Sequence, residues 1–133
     1  MIFKPILTDK APQPVGPYSQ AIRFGDWLYC SGQIPLDPKN SEVVGQDITA
    51  QSKQVFENIK AVLQSQNLSF QNILKTMVFL TDMREFSIFN QIYESYFGDH
   101  KPARSCVEVS ALPKGVKVEV EVIAFVESDL KKS

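Results

Sequence analysis

Val116-Lys117-Val118-Glu119-Val120-Glu121-Val122-Ile123-Ala124-Phe125-Val126-Glu127 is the longest strand-like run in the chain. Successive side chains of a strand point to opposite faces, so its two faces can be read separately. Val116, Val118, Val120, Val122, Ala124 and Val126 make one face apolar throughout. The other begins charged, with Lys117, Glu119 and Glu121, then turns apolar at Ile123 and Phe125. Such a strand needs a core on one side, and half of its other side is poorly suited to water.

Two upstream segments can supply that core. Asp47 suits an N-cap, and after it Ile48, Val55, Ile59 and Val62 recur at helical spacing, with Phe56 and Leu63 beside them. This predicts a helix of about 18 residues ending near Gln66-Asn67. In the second segment Asp82 and Glu85 have capping-box spacing. Phe86, Phe89, Ile92, Tyr93, Tyr96 and Phe97 form an apolar stripe read as core packing, and Gly98 fits the position after the helix end.

The remaining runs are strand-like. Ile73 to Leu80, with Met77-Val78-Phe79-Leu80 almost continuously apolar, reads as a buried strand. Gln20 to Phe24 and Trp27 to Gln33, joined by Gly25-Asp26, read as a hairpin. Thr8 to Ser19 carries Pro12, Pro14, Gly16 and Pro17 and is expected to be an irregular extended arm; Pro35 and Pro38 mark a turn. Ala103 to Val109 sets Arg104, Cys106 and Glu108 on one face against Ser105, Val107 and Val109 on the other. A loop with Pro113 and Gly115 leads from it to the long strand. One register for these last two strands as a hairpin puts Glu108 opposite Lys117, Cys106 opposite Glu119 and Arg104 opposite Glu121; others remain open.

The order ββαβαββ predicts an α+β fold, one sheet of four or five strands with two helices packed on one face. The sheet's second face is then bare. A homo-oligomer burying it against copies of the chain is the simplest way to keep Ile123 and Phe125 from water.

The chain's 133 residues fit a single domain, 1–133. Apolar residues at 44% and charged residues at 22% exclude a disordered, collagen-like or coiled-coil chain. The longest unbroken apolar stretch, Val122 to Val126, is far below the roughly 20 residues of a membrane span. Met1 to Thr8 shows neither the apolar region nor the small-residue cleavage site of a signal peptide, so a cytoplasmic location is expected. Lys and Arg total 14 against 15 Asp and Glu, a net charge of −1 that requires neither a nucleic-acid nor a membrane partner. Cys30 and Cys106 lie too far apart for a CxxC motif and are expected to be reduced thiols.

Few residues offer chemistry. His100, the only histidine, sits in Gly98-Asp99-His100-Lys101 and reads as a solvated loop side chain. Alone it supports neither a Ser-His-Asp nor a Cys-His arrangement. No GxSxG, HExxH, P-loop or GxGxxG pattern occurs, and one His with two distant Cys does not suggest a metal site. Arg104, directly after Pro102-Ala103, has two readings. It is an exposed arginine, free or paired with Glu108 or a glutamate of the last strand, or it is a fixed guanidinium that grips a carboxylate through two parallel hydrogen bonds. Glu119 and Glu121 are a solvated charged edge beside Lys117; alternatively one of them, partly buried near Arg104, holds or deprotonates a water.

Pro102-Ala103-Arg104-Ser105-Cys106-Val107-Glu108-Val109, followed by Leu112-Pro113-Lys114 and Val118-Glu119-Val120-Glu121, resembles the C-terminal signature of the Rid family (reactive intermediate deaminase, also called YjgF-like). Gly16-Pro17-Tyr18-Ser19-Gln20, Ser31-Gly32-Gln33-Ile34-Pro35 and Lys75-Thr76-Met77-Val78-Phe79-Leu80 agree in the same order, so the resemblance runs from Thr8 to Val126. It implies a chorismate-mutase-like fold and a homotrimer with clefts between neighbouring subunits. It also implies that the strand at Ile73 to Leu80 lies between the last two, against the hairpin register. The implied activity is hydrolysis of 2-imino acids and their enamine tautomers, such as 2-iminobutanoate and 2-iminopropanoate, to 2-keto acids and ammonia. Such imines leave pyridoxal-phosphate dehydratases acting on serine or threonine, and no cofactor is implied.

By the same resemblance Arg104 binds the substrate carboxylate and Glu119 positions or activates the attacking water. The backbone at Cys106 and the Ser31-Gly32 segment line the pocket, and Tyr18 and Asn90 complete it. Imines hydrolyse unaided in water, so orientation, a carboxylate anchor and a base are enough. Two rival readings stand beside this one, the first of them a role also attributed to the family. The first is an endoribonuclease or translation inhibitor, disfavoured by the net charge of −1 and the lack of a basic stripe. The second is a non-enzymatic small-carboxylate sensor or chaperone-like protein using the same cleft. The segment Gly98 to Lys101 is shorter than in some relatives, and Cys30 stands where other residues are common, which would put a second thiol near the pocket.

Overall fold

The alternation along the last strand carries through to the whole molecule. The computed structural model describes residues 2–126; Glu127, expected to end that strand, lies outside the described residues. Six strands form one mixed sheet: β1 (Phe3–Ile6), β2 (Ala21–Phe24), β3 (Trp27–Gln33), β4 (Ile73–Leu80), β5 (Ala103–Glu108) and β6 (Val118–Phe125). Their spatial order is β1-β2-β3-β6-β4-β5. Helices α1 (Ile48–Gln64) and α2 (Phe86–Phe97) cover one face, burying Val118, Val120, Val122 and Ala124 of β6 with Thr76, Val78 and Leu80 of β4. The α+β architecture is as expected.

Two expectations are corrected. The sheet has six strands rather than four or five, because β1 was not foreseen. It has four mostly exposed residues with Pro5 among them, too few for alternation to register and typical of an edge strand. The last two strands do not form a hairpin. β4 lies between them, antiparallel to β6 and parallel to β5. A strand as apolar as β4 gains most from the middle of a sheet, which outweighs charge matching between Glu108 and Lys117. This is the order the family resemblance implied.

Local signals fare better. Asp47 caps α1, accepting from the Ala50 N–H at 2.8 Å, and Gly25 takes φ +58° in the β2–β3 hairpin. The Asp82–Glu85 capping box is not formed. Asp82 instead accepts from the Arg84 N–H and caps a short 3₁₀ turn over Met83–Glu85, and α2 starts after it without a side-chain cap. Glu85 turns to Lys117, 3.3 Å away.

The aromatic stripe of α2 is core. Fully buried Phe56 of α1 meets the rings of Phe89, Tyr93 and Phe97, with centroids 5.8–6.3 Å apart. Phe56→Ala is therefore expected to cost about 3–5 kcal/mol, read as a lower urea midpoint at fixed protein concentration. Away from the helices the sheet carries Phe3, Phe24, Trp27, Tyr29 and Val107, all exposed, and Trp27 meets Phe125 edge-on at 5.2 Å.

Candidate functional site

Arg104 stands on β5 beside Thr76 of β4, on the face under the helices. Asn90 and Tyr93, three apart on α2, present their side chains on one stripe toward it. The Arg104 Nη1 donates to Asn90 Oδ1 at 2.8 Å, and its guanidinium carbon lies 4.8 Å from the Tyr93 ring centroid and 5.5 Å from that of Phe86. Among the described residues Arg104 makes no ion pair. Glu108, one partner considered for it, instead accepts from the Met83 N–H at 2.8 Å. The guanidinium opens on a cavity of about 330 Å³ bounded by Glu94, His100 and Lys101 as well as Asn90 and Tyr93.

His100 is not the free loop side chain expected. Its Nε2 lies 2.6 Å from the Ile73 carbonyl oxygen, so Nε2 carries the proton and donates. Cys106 shares Arg104's face, half-buried, and burial raises its thiol pKa against the opposing pull of Arg104. The thiol is therefore protonated at neutral pH.

Glu119 belongs to a second cluster. Between the pairs Cys30–Val122 and Gln33–Val120, β3 holds one residue more than β6, a bulge that re-aims the Ser31-Gly32 backbone. That backbone closes over Glu119. A Cβ on Gly32 would overlap Glu119 Oε2 and stand 2.8 Å from its Cδ. Ser31 ties the segment to the arm, its Oγ donating to the Ser19 carbonyl at 2.6 Å and its N–H to that of Gln20 at 2.9 Å. The buried Gln20 side chain secures the arm's other end, donating to the carbonyls of Thr8 and Pro12 and accepting from the Thr8 N–H. Tyr18, Ser31, Gly32, Pro113, Glu119 and Glu121 thus line a cavity of about 370 Å³. Burial, and then the Glu121 charge, hold the Glu119 carboxyl above the ordinary glutamate range. Cys30 does not join this cluster; it turns into the core, where burial pushes its thiol up to about 12. Among the described residues no group of three or more His, Cys, Asp and Glu is placed to hold a metal ion.

A family model described as endoribonuclease L-PSP matches residues 8–126. This chain belongs to that family, the Rid or YjgF-like family. It is 52% identical over 122 residues to a RutC family protein of Pyrococcus horikoshii, covering 92% of this chain and 97% of that one. It is 46% identical over 124 residues to the 2-iminobutanoate/2-iminopropanoate deaminase of Salmonella typhimurium, covering 91% and 96%. A solved Rid-family structure from Yersinia pestis matches with a TM-score of 0.90 at 50% identity, covering 93% of this chain and 99% of that one.

One expectation about this Rid protein's site fails within a single chain. Arg104 and Glu119 do not share a face. In the parallel β4–β5 pair Arg104 sits beside Thr76, and in the antiparallel β4–β6 pair Glu119 sits beside Phe79. Thr76 and Phe79 are three residues apart on one strand, so they point to opposite sides of the sheet. Arg104, Asn90 and Cys106 lie together under the helices, and Tyr18, Ser31, Gly32 and Glu119 lie together on the opposite face. Tyr93, Phe86 and His100 were not singled out as site residues. Tyr93 and Phe86 lay in a stripe whose core role masked their contact with Arg104, and nothing local marked His100.

Proposed function

We propose that this Rid protein is a cytoplasmic homotrimeric enzyme that hydrolyses reactive 2-imino acids and their enamine tautomers to 2-keto acids and ammonia. The substrates are 2-iminobutanoate and 2-iminopropanoate, by-products of pyridoxal-phosphate-dependent dehydratases. The observation that carries the reading is Arg104, an exposed guanidinium held by Asn90 and Tyr93 with no ion-pair partner among the described residues. That is a preset anchor for a small carboxylate.

Each working site joins Arg104 of one copy to Glu119 of a neighbour. Support comes from their placement on opposite faces and from the apolar residues Trp27, Tyr29, Ile123 and Phe125 on the face that carries Glu119. Stacking that face on a second chain removes apolar surface from water and closes the cleft. The backbone at Cys106 and the Ser31-Gly32 segment line the cleft, and Tyr18 covers it. Glu119 takes a proton from water as its oxygen adds to C2 of the imine, giving a tetrahedral amino-alcohol. The imine is protonated at nitrogen when attacked, and Glu119 then passes the proton it took to that nitrogen. As the C–N bond breaks the hydroxyl gives its proton to Glu119, the C2 carbonyl forms, and the departing ammonia carries that last proton away as ammonium. Water and imine are consumed one for one.

Purified protein is expected to speed 2-keto acid release when coupled to a serine or threonine dehydratase. Arg104→Ala is expected to lower kcat/KM roughly a hundredfold or more. An unchanged rate in that variant overturns the assignment, and RNA cleavage that Arg104→Ala abolishes would replace it with the endoribonuclease reading. The pH dependence follows from Glu119. As base it works deprotonated, and burial raises its pKa, so activity is lost as pH falls through a value above the ordinary glutamate range. The limb is expected in kcat, which reports the substrate-bound enzyme where the carboxylate neutralises Arg104, and it is expected to vanish in Glu119→Gln.

A further inference from the structure

An exposed arginine on a strand gives up rotamer freedom each time it grips a ligand, unless something holds it beforehand. Asn90 cannot do this alone: one hydrogen bond to Nη1 leaves the guanidinium plane free to swing about it. We infer that Tyr93, tied to Thr76, is a positioning residue that sets the plane of the Arg104 guanidinium and thereby the affinity for the substrate carboxylate. This rests on the anchor role proposed for Arg104 and extends it to two residues beneath it.

The Tyr93 ring is held on every side. It stacks on Phe97 with centroids 4.4 Å apart, packs against Phe89 at 5.9 Å and meets Phe56 edge-on at 5.8 Å. Its hydroxyl lies 2.9 Å from the Oγ1 of fully buried Thr76. Thr76 is also the residue paired with Arg104 across β4 and β5, so platform and guanidinium hang from neighbouring positions of one ladder. Packing alone does not require this hydroxyl pair. Phenylalanine and valine would fill the same space with no buried polar groups to satisfy. What the pair adds is a fixed ring angle directly below Arg104.

With its plane set by Tyr93 and its rotation by Asn90, the guanidinium has no further hydrogen-bond partner at Nε or Nη2 among the described residues. Those two donors form the edge that takes a carboxylate through two parallel bonds. A cation over an aromatic face is itself attractive, most so when partly desolvated.

The test combines Tyr93→Leu, Tyr93→Phe and Thr76→Val with a readout that needs no turnover, the Arg104 Nε–H signal in a nitrogen-15 spectrum, assigned by its loss in Arg104→Ala. The wild-type signal is expected to be ring-current shifted and slow to exchange with water. Tyr93→Leu is expected to collapse it to the position of a free arginine and to raise KM about tenfold, with a much smaller effect on kcat. Tyr93→Phe, which keeps the ring, recovers most of that loss, and Thr76→Val falls between. In an Arg104→Ala background, Tyr93→Leu adds no further loss. A folded Tyr93→Leu protein with the Arg104 signal and KM unmoved overturns the inference, as does an equal loss in the Arg104→Ala background. Should Tyr93→Leu not fold, Tyr93→Met, which fills the space without a ring, decides by the same outcomes. Failure of the deaminase reading is seen separately, as absence of keto-acid release by the wild-type protein.

Discussion

Refolding equal amounts of Arg104→Ala and Glu119→Gln chains together is expected to restore deaminase activity far above that of either variant alone. In this structure Arg104 points under the helices and Glu119 points out of the opposite face, so each variant keeps the part of the proposed site that the other has lost. If a working site takes Arg104 from one copy and Glu119 from the next, random mixing leaves about a quarter of the sites intact. The mixture should then run at about a quarter of the wild-type rate, whatever the number of subunits in the ring. The measurement is 2-keto acid release after co-refolding, with separately refolded variants combined afterwards as the blank. Activity no higher than that blank would mean that the two groups do not meet across a subunit boundary.

Gly32→Ala is expected to remove most activity while leaving the fold intact. The new methyl group would occupy the space of Glu119 Oε2, and the nearest atoms all belong to that carboxylate and its stem. The far end of a flexible side chain yields more readily than a sheet backbone, so Glu119 swings aside and the protein still folds. If Glu119 acts as the proposed base, moving it removes that base from the reaction. General-base catalysis contributes typically 10²–10⁴-fold, so kcat should fall about a hundredfold or more. Thermal unfolding should barely change, and Gly32→Ala added to Glu119→Gln should cost almost nothing further. A Gly32→Ala enzyme with wild-type kcat would show that the Glu119 carboxylate does not act from this position.

Much of this was legible in the chain. The period-2 pattern of Val116 to Val126 and the period-3.6 patterns after Asp47 and Asp82 are local properties, as are the Gly25 turn and the Asp47 cap. Each depends on residues within a few positions of one another, so each could be read without knowing what they pack against. The same holds for the list of reactive side chains. With one histidine and no metal-binding spacing, the chain leaves Arg104 and the glutamates of the last strand as its candidates. Where local reading failed, something distant had won. The Asp82–Glu85 spacing promised a capping box, yet Lys117 draws Glu85 away from the helix end. Tyr93 read as core and is core, but the ring face it turns to Arg104 becomes visible only once β5 lies beside β4.

The sequence by itself determined that a sheet with one apolar face would be covered by two helices and that the other face would stay partly apolar, and it put forward Arg104 and Glu119 as the candidate reactive groups. Only the tertiary structure decided where those two groups point. The facing of a strand residue depends on the register of its neighbours, and a slip of one residue reverses it. Register here is set by β4, which inserts between β5 and β6 because its apolar side chains need cover on both faces. That insertion puts Thr76 beside Arg104 and Phe79 beside Glu119, and so divides between two faces the pair that the last two strands, read alone, had placed on one.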